Sequence, residues 1–557
     1  MTLTTNAGSR NRSASELPWW RHGVVYQVYI RSFADGNGDG TGDIAGLRSR
    51  LGYLHELGVD AIWITPWYPS PLHDGGYDVA DYRDINPGFG TLEEAEALIR
   101  EAHDLGIRLL VDLVPNHTSS EHAWFKAALE AGPGSPERDR YIFREGKGAD
   151  GSEPPTNWTS VFGGPAWSRL PDGQWYLHIF DVTQPDLNWE NPEVRQEFLD
   201  IFEFWLDRGV DGMRVDVAHG LVKDPTFPDV DHQTAVLASE HVPNHPHWDR
   251  DGVHEIIRGW RQVLDRYDER MMVAEAWVHA DRLPLYLRSD EYHQSFNFDL
   301  LDTDWSAQGF RSVIAQSAAA ASAVGATTTW VLSNHDVMRH ATRYGLPPGT
   351  DWRNWFIAGP HGALDVELGA TRARAATLLT LSLPGAAYIY QGEELGLPEV
   401  WDLPEDVLDD PTWERSEHTV KGRDGCRVPI PWTIEGQSFG FGGPAWLPQP
   451  PSFGSMSVEA QHNDPQSMLN LYRNALSLRS QWFAADEKLE MLELGPDLVA
   501  FERGTGARCV VNMGSAAASV NTDGRLVLLS SSPLSSPADG VVQLPPDTAV
   551  WLVPADG

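Results

Sequence analysis

Eight short runs of β-branched and aromatic residues, separated by stretches with helical spacing of apolar residues, constrain the fold of this chain more than any other feature. Strands that alternate with helices are joined by crossover connections and form parallel sheets. Eight such strands predict a closed (β/α)₈ barrel, and an open doubly wound sheet is the structural alternative. The runs are residues 24–30, 61–64, 108–113, 212–215, 271–274, 295–298, 328–332 and 386–390.

The connections between these runs are uneven in length, and two of them are long enough to hold additional structure. A segment rich in Gly, Pro and Trp follows the third run, and another long loop, 392–462, follows the eighth. Both leave the carboxyl ends of strands, where barrel enzymes form their active sites. Beyond about residue 483, runs such as 498–502 and 508–511 alternate polar and apolar residues, which predicts a small antiparallel β domain.

The predicted organisation is therefore a barrel that is interrupted once and followed by a second domain. The predicted segments are the first part of the catalytic barrel (1–116), an inserted subdomain (117–185), the second part of the barrel (186–482) and the C-terminal β domain (483–557). We expect the last barrel helix to begin at Asp464-Pro465, which combines an N-cap residue with a proline in the first turn.

Net charge and cysteine content exclude several classes of function. The formal net charge of −37 opposes binding to phosphate backbones, so we expect no nucleic-acid partner. Cys426 and Cys509 are too few for a disulfide framework, and neither lies in a His/Cys cluster typical of zinc. The polar first residues lack an apolar signal segment, and no run reaches the ~18 apolar residues of a membrane helix. We expect a cytoplasmic protein without a membrane partner, and the sequence indicates no oligomeric state.

Carboxylic acids end three of the predicted strands. Asp216 follows the fourth run, Glu275 the fifth and Asp336 the seventh. Side chains at the C-terminal ends of barrel strands converge at the mouth of the barrel. Glycoside hydrolysis needs two carboxyl groups, and retaining enzymes hold them about 5 Å apart, which neighbouring strands can provide. The pattern therefore indicates a glycosidase with Asp216 and Glu275 as the reacting pair.

The neighbours of this pair suggest which member is the nucleophile. Arg214 lies two positions before Asp216, so both side chains point to one face of the strand, and a nearby cation keeps a carboxylate ionised. Glu275 lies beside Trp277 between two alanines, where desolvation would favour the protonated form that an acid catalyst requires. We therefore predict that Asp216 attacks and that Glu275 is the acid.

Each motif alone has an ordinary structural explanation, since an Arg-x-Asp pair is most often a salt bridge and an Asn-His pair a turn. Four motifs in order, each at the end of one strand, resemble the four short signature regions of the α-amylase family. The resemblance extends over roughly residues 18–480. The matching segments are residues 112–117 (DLVPNH), 212–219 (GMRVDVAH), 273–277 (VAEAW) and 331–336 (VLSNHD).

This resemblance implies roles for individual residues. Asp216 would be the nucleophile, Glu275 the acid/base and Asp336 the carboxylate that binds and distorts the sugar. The other residues implied for the pocket of the cleaved glucose are basic: His117, Arg214 and His335.

Three further segments resemble the exo-acting α-glucosidase and oligo-1,6-glucosidase branch of that family. Residues 184–188 (QPDLN) are similar to its marker sequence. Asp74 and Tyr77 match an aspartate that holds the terminal hydroxyls of the sugar and a tyrosine that stacks on it. In residues 421–427 (KGRDGCR) the resemblance assigns Arg427, rather than Arg423, as the partner of that aspartate. Such a pair would close the pocket beyond one glucose.

The residue after the nucleophile does not fix the linkage that is cut. Val217 stands where valine accompanies α-1,6 preference in the family, but it can equally pack the end of the strand. Its neighbours Ala218 and His219 depart from the usual oligo-1,6-glucosidase pattern. No linkage preference is therefore assigned.

The glycine-rich loop 35–43 (DGNGDGTGD) places oxygen ligands at alternate positions, like an EF-hand loop that lacks its terminal Glu. In the family that the chain resembles, the loop after strand one binds Ca²⁺. The ion would be structural, because hydrolysis by two carboxylates needs no metal. The implied ligands are Asp35, Asn37, Asp39, Asp43 and the carbonyl of Thr41.

These observations predict a retaining, exo-acting α-glucosidase that releases α-glucose from the non-reducing end of short α-glucosides, with transglucosylation when an acceptor replaces water. A transferase or isomerase of the same family, such as a trehalose synthase, sucrose isomerase or sucrose phosphorylase, is one alternative. A non-catalytic sugar-binding or transporter-partner subunit is another. The presence of all three carboxylates and the lack of a predicted membrane helix disfavour this last alternative.

Overall fold

The computed structural model describes residues 17–231, 244–359, 363–484 and 486–555. The polar first residues, on which the expectation about a signal segment was based, lie outside these ranges. The strands, numbered along the chain, are β1 (Val24–Val28), β2 (Ala61–Ile64), β3 (Arg108–Leu113), β4 (Phe143–Glu145), β5 (Trp167–Arg169), β6 (Gln174–Leu177), β7 (Gly212–Val215), β8 (Met271–Ala274), β9 (Gln294–Ser295), β10 (Thr329–Val331), β11 (Ala386–Tyr390), β12 (Leu489–Met491), β13 (Leu498–Arg503), β14 (Arg508–Asn512), β15 (Ala518–Asn521), β16 (Leu526–Ser530), β17 (Val541–Leu544) and β18 (Thr548–Val553).

The helices surround the barrel and fill its long loops. The α-helices are α1 (Ile44–Ser49), α2 (Leu51–Leu57), α3 (Leu92–Asp104), α4 (Ala123–Ala131), α5 (Pro192–Asp207), α6 (Val253–Leu264), α7 (Leu283–Tyr286), α8 (Phe298–Asp302), α9 (Ala307–Ala323), α10 (His340–Arg343), α11 (Trp352–Ala358), α12 (Val366–Ser382), α13 (Pro411–Arg415), α14 (Phe453–Met456), α15 (Val458–His462) and α16 (Met468–Trp482). Short 3₁₀ helices cover Trp19–Arg21, Ile30–Ser32, Arg138–Arg140, Glu393–Leu395, Glu405–Val407, Asp424–Cys426 and Gln437–Gly440.

Eight parallel strands form the barrel, in the order β10-β11-β1-β2-β3-β7-β8-β9. A parallel bridge between Asn297 and Trp330 joins the end of the β9 segment to β10 and brings the two edges of the sheet together. The predicted (β/α)₈ barrel is thus confirmed. The sixth strand is shorter than predicted and ends at Ser295, because the Asn297 side chain accepts a hydrogen bond from the Leu300 amide and starts α8 at Phe298.

Alternate side chains of each barrel strand pack into two different apolar cores. In β3, Leu109 and Val111 belong to the core between strands and helices, whereas Leu110 belongs to the core inside the barrel. In β8, Met272 packs toward the helices and Met271 toward the interior. Because both faces are covered, these strands are almost wholly buried, as expected for a parallel sheet between helices.

Local capping signals decide where several helices begin. Thr91 and Glu94 form a reciprocal capping box at the start of α3. The last barrel helix, α16, begins at Met468 and not at Asp464, because the Ser467 side chain accepts the amide of residue 470 and acts as N-cap. The Asp464 side chain instead accepts the Gln466 amide in the preceding turn. Among the described helices, none is both long enough and apolar enough to cross a bilayer.

Two smaller β structures accompany the barrel. Between β3 and β7, a three-stranded antiparallel sheet in the order β4-β6-β5 forms the inserted structure. After α16, an antiparallel sheet in the order β12-β13-β14-β18-β16 and a two-stranded sheet, β15-β17, form the C-terminal domain. Trp551 of β18 donates to the Leu378 carbonyl of α12 at 3.0 Å and attaches this domain to the barrel. Both additions were predicted, and the exact segment boundaries stay predictions.

Candidate active site

A cavity of about 350 Å³ lies at the C-terminal ends of the barrel strands. It brings together six residues that the sequence analysis selected: Asp74, Tyr77, His117, Asp216, Glu275 and Asp336. Arg214 and His335 are buried beneath them and contact them directly, at 2% and 0% exposure. Arg427 does not line the cavity, which is bordered instead by Arg423.

Asp216 and Glu275 are held together by a single guanidinium group. Arg214 Nη1 lies 2.6 Å from Asp216 Oδ1, and Arg214 Nη2 lies 2.7 Å from Glu275 Oε2. The charge of Glu275 also acts on Asp216 and raises its pKa. Neighbouring strands β7 and β8 place the two residues at the same height, because each follows the last residue of its strand. The arrangement therefore holds two carboxyl groups side by side at the floor of a cavity.

Asp112 is a third carboxylate of this cluster, to which the sequence analysis gave no role. It lies 2.9 Å from Arg214 Nη1 and also accepts hydrogen bonds from Tyr77 Oη at 2.9 Å and Trp63 Nε1 at 3.0 Å. Burial raises the pKa of Asp112 to about 7 in spite of Arg214. The pairing of Asp112 with Arg214 in adjacent strands brings it there, and no motif in the sequence gives that register.

Arg214 is consequently the shared ion-pair partner of three acids. Burial raises the pKa of Asp216 well above its usual value, and the charges of Glu275 and Asp112 raise it further, which outweighs the opposing effect of Arg214. Arg214 therefore favours the ionised form of Asp216, as predicted, but its charge does not cancel the effect of burial. Three buried acids that share one cation favour retention of a proton within the cluster.

Glu275 is fixed by donors from its own strand end and from the strand before it. Its Oε2 accepts the Val217 amide at 3.2 Å, and its Oε1 accepts the Trp277 indole N–H at 3.1 Å. Val217 has a φ of 44°, a left-handed conformation that is rare and strained for a β-branched residue. The turn directly after Asp216 thus directs a backbone N–H to the neighbouring acid.

Asp336 lies among cationic and polar groups at the side of the cavity. Its carboxylate is 3.2 Å from His335 Nε2, 2.8 Å from Arg423 Nη1 and 3.0 Å from Arg427 Nη2. Burial opposes its ionisation, but the imidazole of His335 and the two guanidinium groups outweigh burial and hold the pKa of Asp336 below its usual value. Asp336 is therefore an ionised acceptor, as binding of sugar hydroxyls requires.

The partner of Asp74 is Arg423 and not Arg427, which corrects the assignment made from the sequence. Arg423 Nη2 lies 2.8 Å from Asp74 Oδ1, and the same guanidinium reaches Asp336. Arg427 instead donates through Nε to the His335 carbonyl at 2.9 Å and pairs with Asp336 without lining the cavity. Burial raises the pKa of Asp74 to about 6, although Arg423 opposes this shift. Asp74, Arg423 and Asp336 thus form one ion-paired rim.

The two predicted histidines are neutral and held by neighbouring side chains. His335 Nδ1 lies 2.6 Å from Gln27 Nε2, and its ring stacks on that of Tyr77 with centroids 5.2 Å apart. His117 Nε2 lies 3.1 Å from the Tyr77 carbonyl. Burial lowers the pKa of His117 to about 4 and that of His335 to about 3. At neutral pH both imidazoles are therefore uncharged.

The glycine-rich loop after β1 has donor groups whose chemistry fits Ca²⁺, but its oxygens accept backbone amides. Asp35 accepts the amides of residues 37, 38, 40 and 443, and Asp43 those of residues 36, 37 and 46. Asn37 and Asp39 are exposed, and Thr41 is partly exposed. Within the described residues, no three Asp, Glu, His or Cys side chains are arranged to hold a metal. Calcium binding by this loop therefore stays a prediction.

Comparison with known proteins places these features in a family. The family model described as alpha amylase, catalytic domain, matches residues 27–486. The oligo-1,6-glucosidase of Parageobacillus thermoglucosidasius is 36% identical over 505 residues, 84% of either chain. The probable alpha-glucosidase of Rhizobium meliloti (strain 1021) is 36% identical over 537 residues, 93% of either chain. The crystal structure of the alpha-glucosyl transfer enzyme XgtA is 33% identical with a TM-score of 0.84, and the match covers 96% of this chain and 99% of that one.

Proposed function

The chain belongs to the α-amylase family of glycoside hydrolases, and we propose that it is a retaining, exo-acting α-glucosidase of short α-glucosides. The observation that carries the proposal is the contact of one guanidinium, Arg214, with both Asp216 and Glu275 at the floor of the cavity. One guanidinium that contacts both carboxyl groups fits the separation of about 5–5.5 Å in retaining enzymes better than the separation of about 6.5–9.5 Å that inverting enzymes use to admit water between acid and base.

The proposed first step forms a covalent glucosyl enzyme. Glu275 donates its proton to the glycosidic oxygen while Asp216 attacks the anomeric carbon. Burial and the charge of Glu275 raise the pKa of Asp216, which supports a proton held by this pair of acids. Glu275 carries that proton in the substrate complex and passes it to the glycosidic oxygen. Arg214 then stabilises Asp216 as the ionised nucleophile. In the second step Glu275 removes a proton from water, which releases α-glucose and restores Asp216.

The ion-paired rim supports exo specificity. Asp74 and Arg423 bridge one end of the cavity, and Asp336 is bound to the same arginine. In the proposed complex the non-reducing glucose contacts this rim with its terminal hydroxyls, so no further sugar fits beyond it. Substrate chains therefore enter only by the non-reducing end.

Transfer of glucose to an acceptor other than water is the second candidate activity, and the likeness to an alpha-glucosyl transfer enzyme favours it. Both activities use the same glucosyl enzyme and differ in which hydroxyl group reaches Glu275. The transfer would be a side reaction of the same pair of carboxyl groups, not a separate site.

The proposed function is tested by incubating the protein with maltose, isomaltose, sucrose and trehalose and separating the products. Free glucose as the main product of maltose or isomaltose supports hydrolysis, and the ratio between these two substrates gives the linkage preference. Mainly isomeric disaccharide from sucrose or maltose would replace the proposal by the isomerase alternative. Mainly longer glucosides would replace it by transferase activity.

We also propose that the loop of residues 35–43 binds a structural calcium ion, held by oxygens of Asp35, Asn37, Asp39, Thr41 and Asp43. The alternation of oxygen donors with glycines supports this ligand set. The ion would cross-link the loop after β1 to its surroundings. The residues that hold the substrate lie elsewhere in the barrel mouth, so the ion would contribute stability only.

A further inference from the structure

The walls of the active-site cavity are apolar above its charged floor. Two separate apolar clusters contribute them, one from the inserted structure and the turn after β7, the other from the segments after β8 and β10. Ile357 of α11 adds an apolar side chain at the rim that is 37% exposed. The main wall residues are Phe162, Phe180 and Val217 in the first cluster and Trp277, Trp352 and Phe356 in the second.

The second cluster lies on the side of the cavity where the leaving group must be. Glu275 protonates the glycosidic oxygen, so the departing alcohol occupies the space next to Glu275 and away from the rim of Asp74. Trp277 donates its indole N–H to Glu275 and therefore borders that space. Arg353 of α11 lies over the Trp277 ring at 6.0 Å and over the Trp352 ring at 4.9 Å, so α11 adjoins Trp277. The space for the departing group is thus bordered by the aromatic side chains of Trp277 and α11.

Among the described residues, few polar side chains border this space. Apart from the floor and rim residues, the cavity is lined by three polar side chains among the described residues: His219, Arg353 and Thr412. Arg353 already pairs with Asp302 at 2.6 Å and lies over the Trp352 ring at 4.9 Å. A sugar as leaving group would bury several hydroxyls here with few partners, which costs free energy. An alkyl or aryl group loses no hydrogen bonds and gains apolar contact.

We propose that the leaving-group side of this cavity selects apolar alcohols. Alkyl and aryl α-glucosides are then preferred over disaccharides as donors, and apolar alcohols are preferred over sugars as glucosyl acceptors. This inference rests on the proposed α-glucosidase function and specifies its substrate class. In the transfer step, the alcohol oxygen bonds to the anomeric carbon as the ester bond to Asp216 breaks, and the alcohol proton passes to Glu275.

A homologous series of n-alkyl α-glucosides, from methyl to octyl, tests the donor preference. The alcohols of this series are nearly equally good leaving groups, so differences in kcat/KM report contact with the cavity wall. We expect kcat/KM to rise about two- to fourfold per methylene over the first several carbons, the upper value corresponding to complete burial of a CH₂ group. A kcat/KM that is independent of chain length would overturn the proposal.

The acceptor preference is tested with α-glucosyl fluoride, because its small leaving group makes little contact with the apolar wall. With 1-hexanol and glucose present at equal concentrations, we expect hexyl α-glucoside to exceed glucosyl-glucose by at least about tenfold. A majority of disaccharide would overturn the proposal. Loss of all glucose release from the fluoride and from methyl α-glucoside would instead reject the α-glucosidase function itself, so the two failures are distinguishable.

A pair of matched variants locates the preference in the cavity wall. Ile357→Asn removes a rim side chain, whereas Ile434→Asn makes the same change at a residue that is 46% exposed and does not line the cavity. We expect Ile357→Asn to reduce the dependence of kcat/KM on alkyl length and Ile434→Asn to leave it unchanged. Equal slopes in both variants and the unmodified protein would contradict the assignment of this wall.

Discussion

At the scale of single residues, the site depends on one arginine that forms ion pairs with several acids. Arg214 contacts Asp112, Asp216 and Glu275, and all four side chains are buried. The sequence identified the last two acids, because each directly follows a strand and strand ends converge in a barrel. It could not show that Asp112 also pairs with Arg214, because that contact depends on the register between two strands that are distant in sequence.

Replacement of the nucleophile tests the assignment of Asp216. Asp216→Asn keeps the shape of the side chain and its contact with Arg214 but cannot form the glucosyl ester. We expect kcat to fall on the order of 10⁴-fold or more, as removal of a catalytic nucleophile does in other hydrolases. The melting temperature and circular dichroism should stay close to those of the unmodified protein. Turnover within about tenfold of the unmodified enzyme would reject the assignment.

The pH dependence of kcat/KM follows from two acids with raised pKa values. Asp74 has a pKa of about 6, and that of Asp216 is also raised, chiefly through burial. Both must be ionised, Asp74 to hold hydroxyls and Asp216 to attack, and each gains a proton as the pH falls through its pKa. We therefore expect kcat/KM in the free enzyme to decline below about pH 6. Full kcat/KM at about pH 4.5 would contradict these shifts.

The choice between two arginines shows why the rim could not be predicted in full. Arg423 and Arg427 flank a short 3₁₀ helix, Asp424–Cys426, in the same loop. Which of them reaches Asp74 depends on the rotation of that turn, and nothing in the local sequence specifies it. The motif therefore located the segment correctly but assigned the wrong one of its two arginines to Asp74.

Double-mutant cycles distinguish the two arginines in solution. We expect Asp74→Asn and Arg423→Met to be coupled by more than about 1 kcal/mol in kcat/KM, since the two side chains are in contact. Asp74→Asn and Arg427→Met should be coupled more weakly, because Arg427 acts on Asp74 through its charge while its guanidinium pairs with Asp336. Stronger coupling with Arg427 than with Arg423 would restore the assignment made from the sequence.

At the scale of secondary-structure elements, burial explains which predictions succeeded. The barrel strands are covered on both faces and are rich in apolar residues, so their positions were evident from composition alone. Two of the boundary errors arose where a polar cap residue sets the first residue of a helix. Asn297 starts α8 and shortens the sixth strand, and Ser467 starts α16 three residues later than the Asp464-Pro465 pair suggested. Competing cap residues within a few positions are not ranked by sequence pattern.

The glycine-rich loop after β1 provides a prediction for a single element. If the loop of residues 35–43 holds Ca²⁺, EDTA removes a ligand that binds only the folded state, and the melting temperature should fall by a few degrees. Calcium-saturated EDTA is the control for other effects of the chelator. Asp39→Ala should abolish the shift. An unchanged melting curve after verified metal removal would count against the ion.

At the scale of the whole molecule, the active site is assembled from parts far apart in sequence. Barrel strands provide the acids, the insertion after β3 provides Phe162 and Phe180, α11 provides Trp352 and Phe356, and the loop after β11 provides Arg423. The sequence predicted the charged floor because its residues lie in recognisable motifs. The apolar walls were not predicted, because the chain has 23 Trp and 19 Phe and only the fold separates lining aromatics from core aromatics.

The central claim is that two neighbouring carboxyl groups, bound by one arginine, cleave α-glucosides through a covalent glucosyl enzyme. The most direct measurement is the anomeric form of the first glucose released from methyl α-glucoside or maltose, followed by ¹H NMR before mutarotation. The contact of Arg214 with both Asp216 and Glu275 predicts α-glucose as the initial product. Initial release of β-glucose would show inversion and contradict the account.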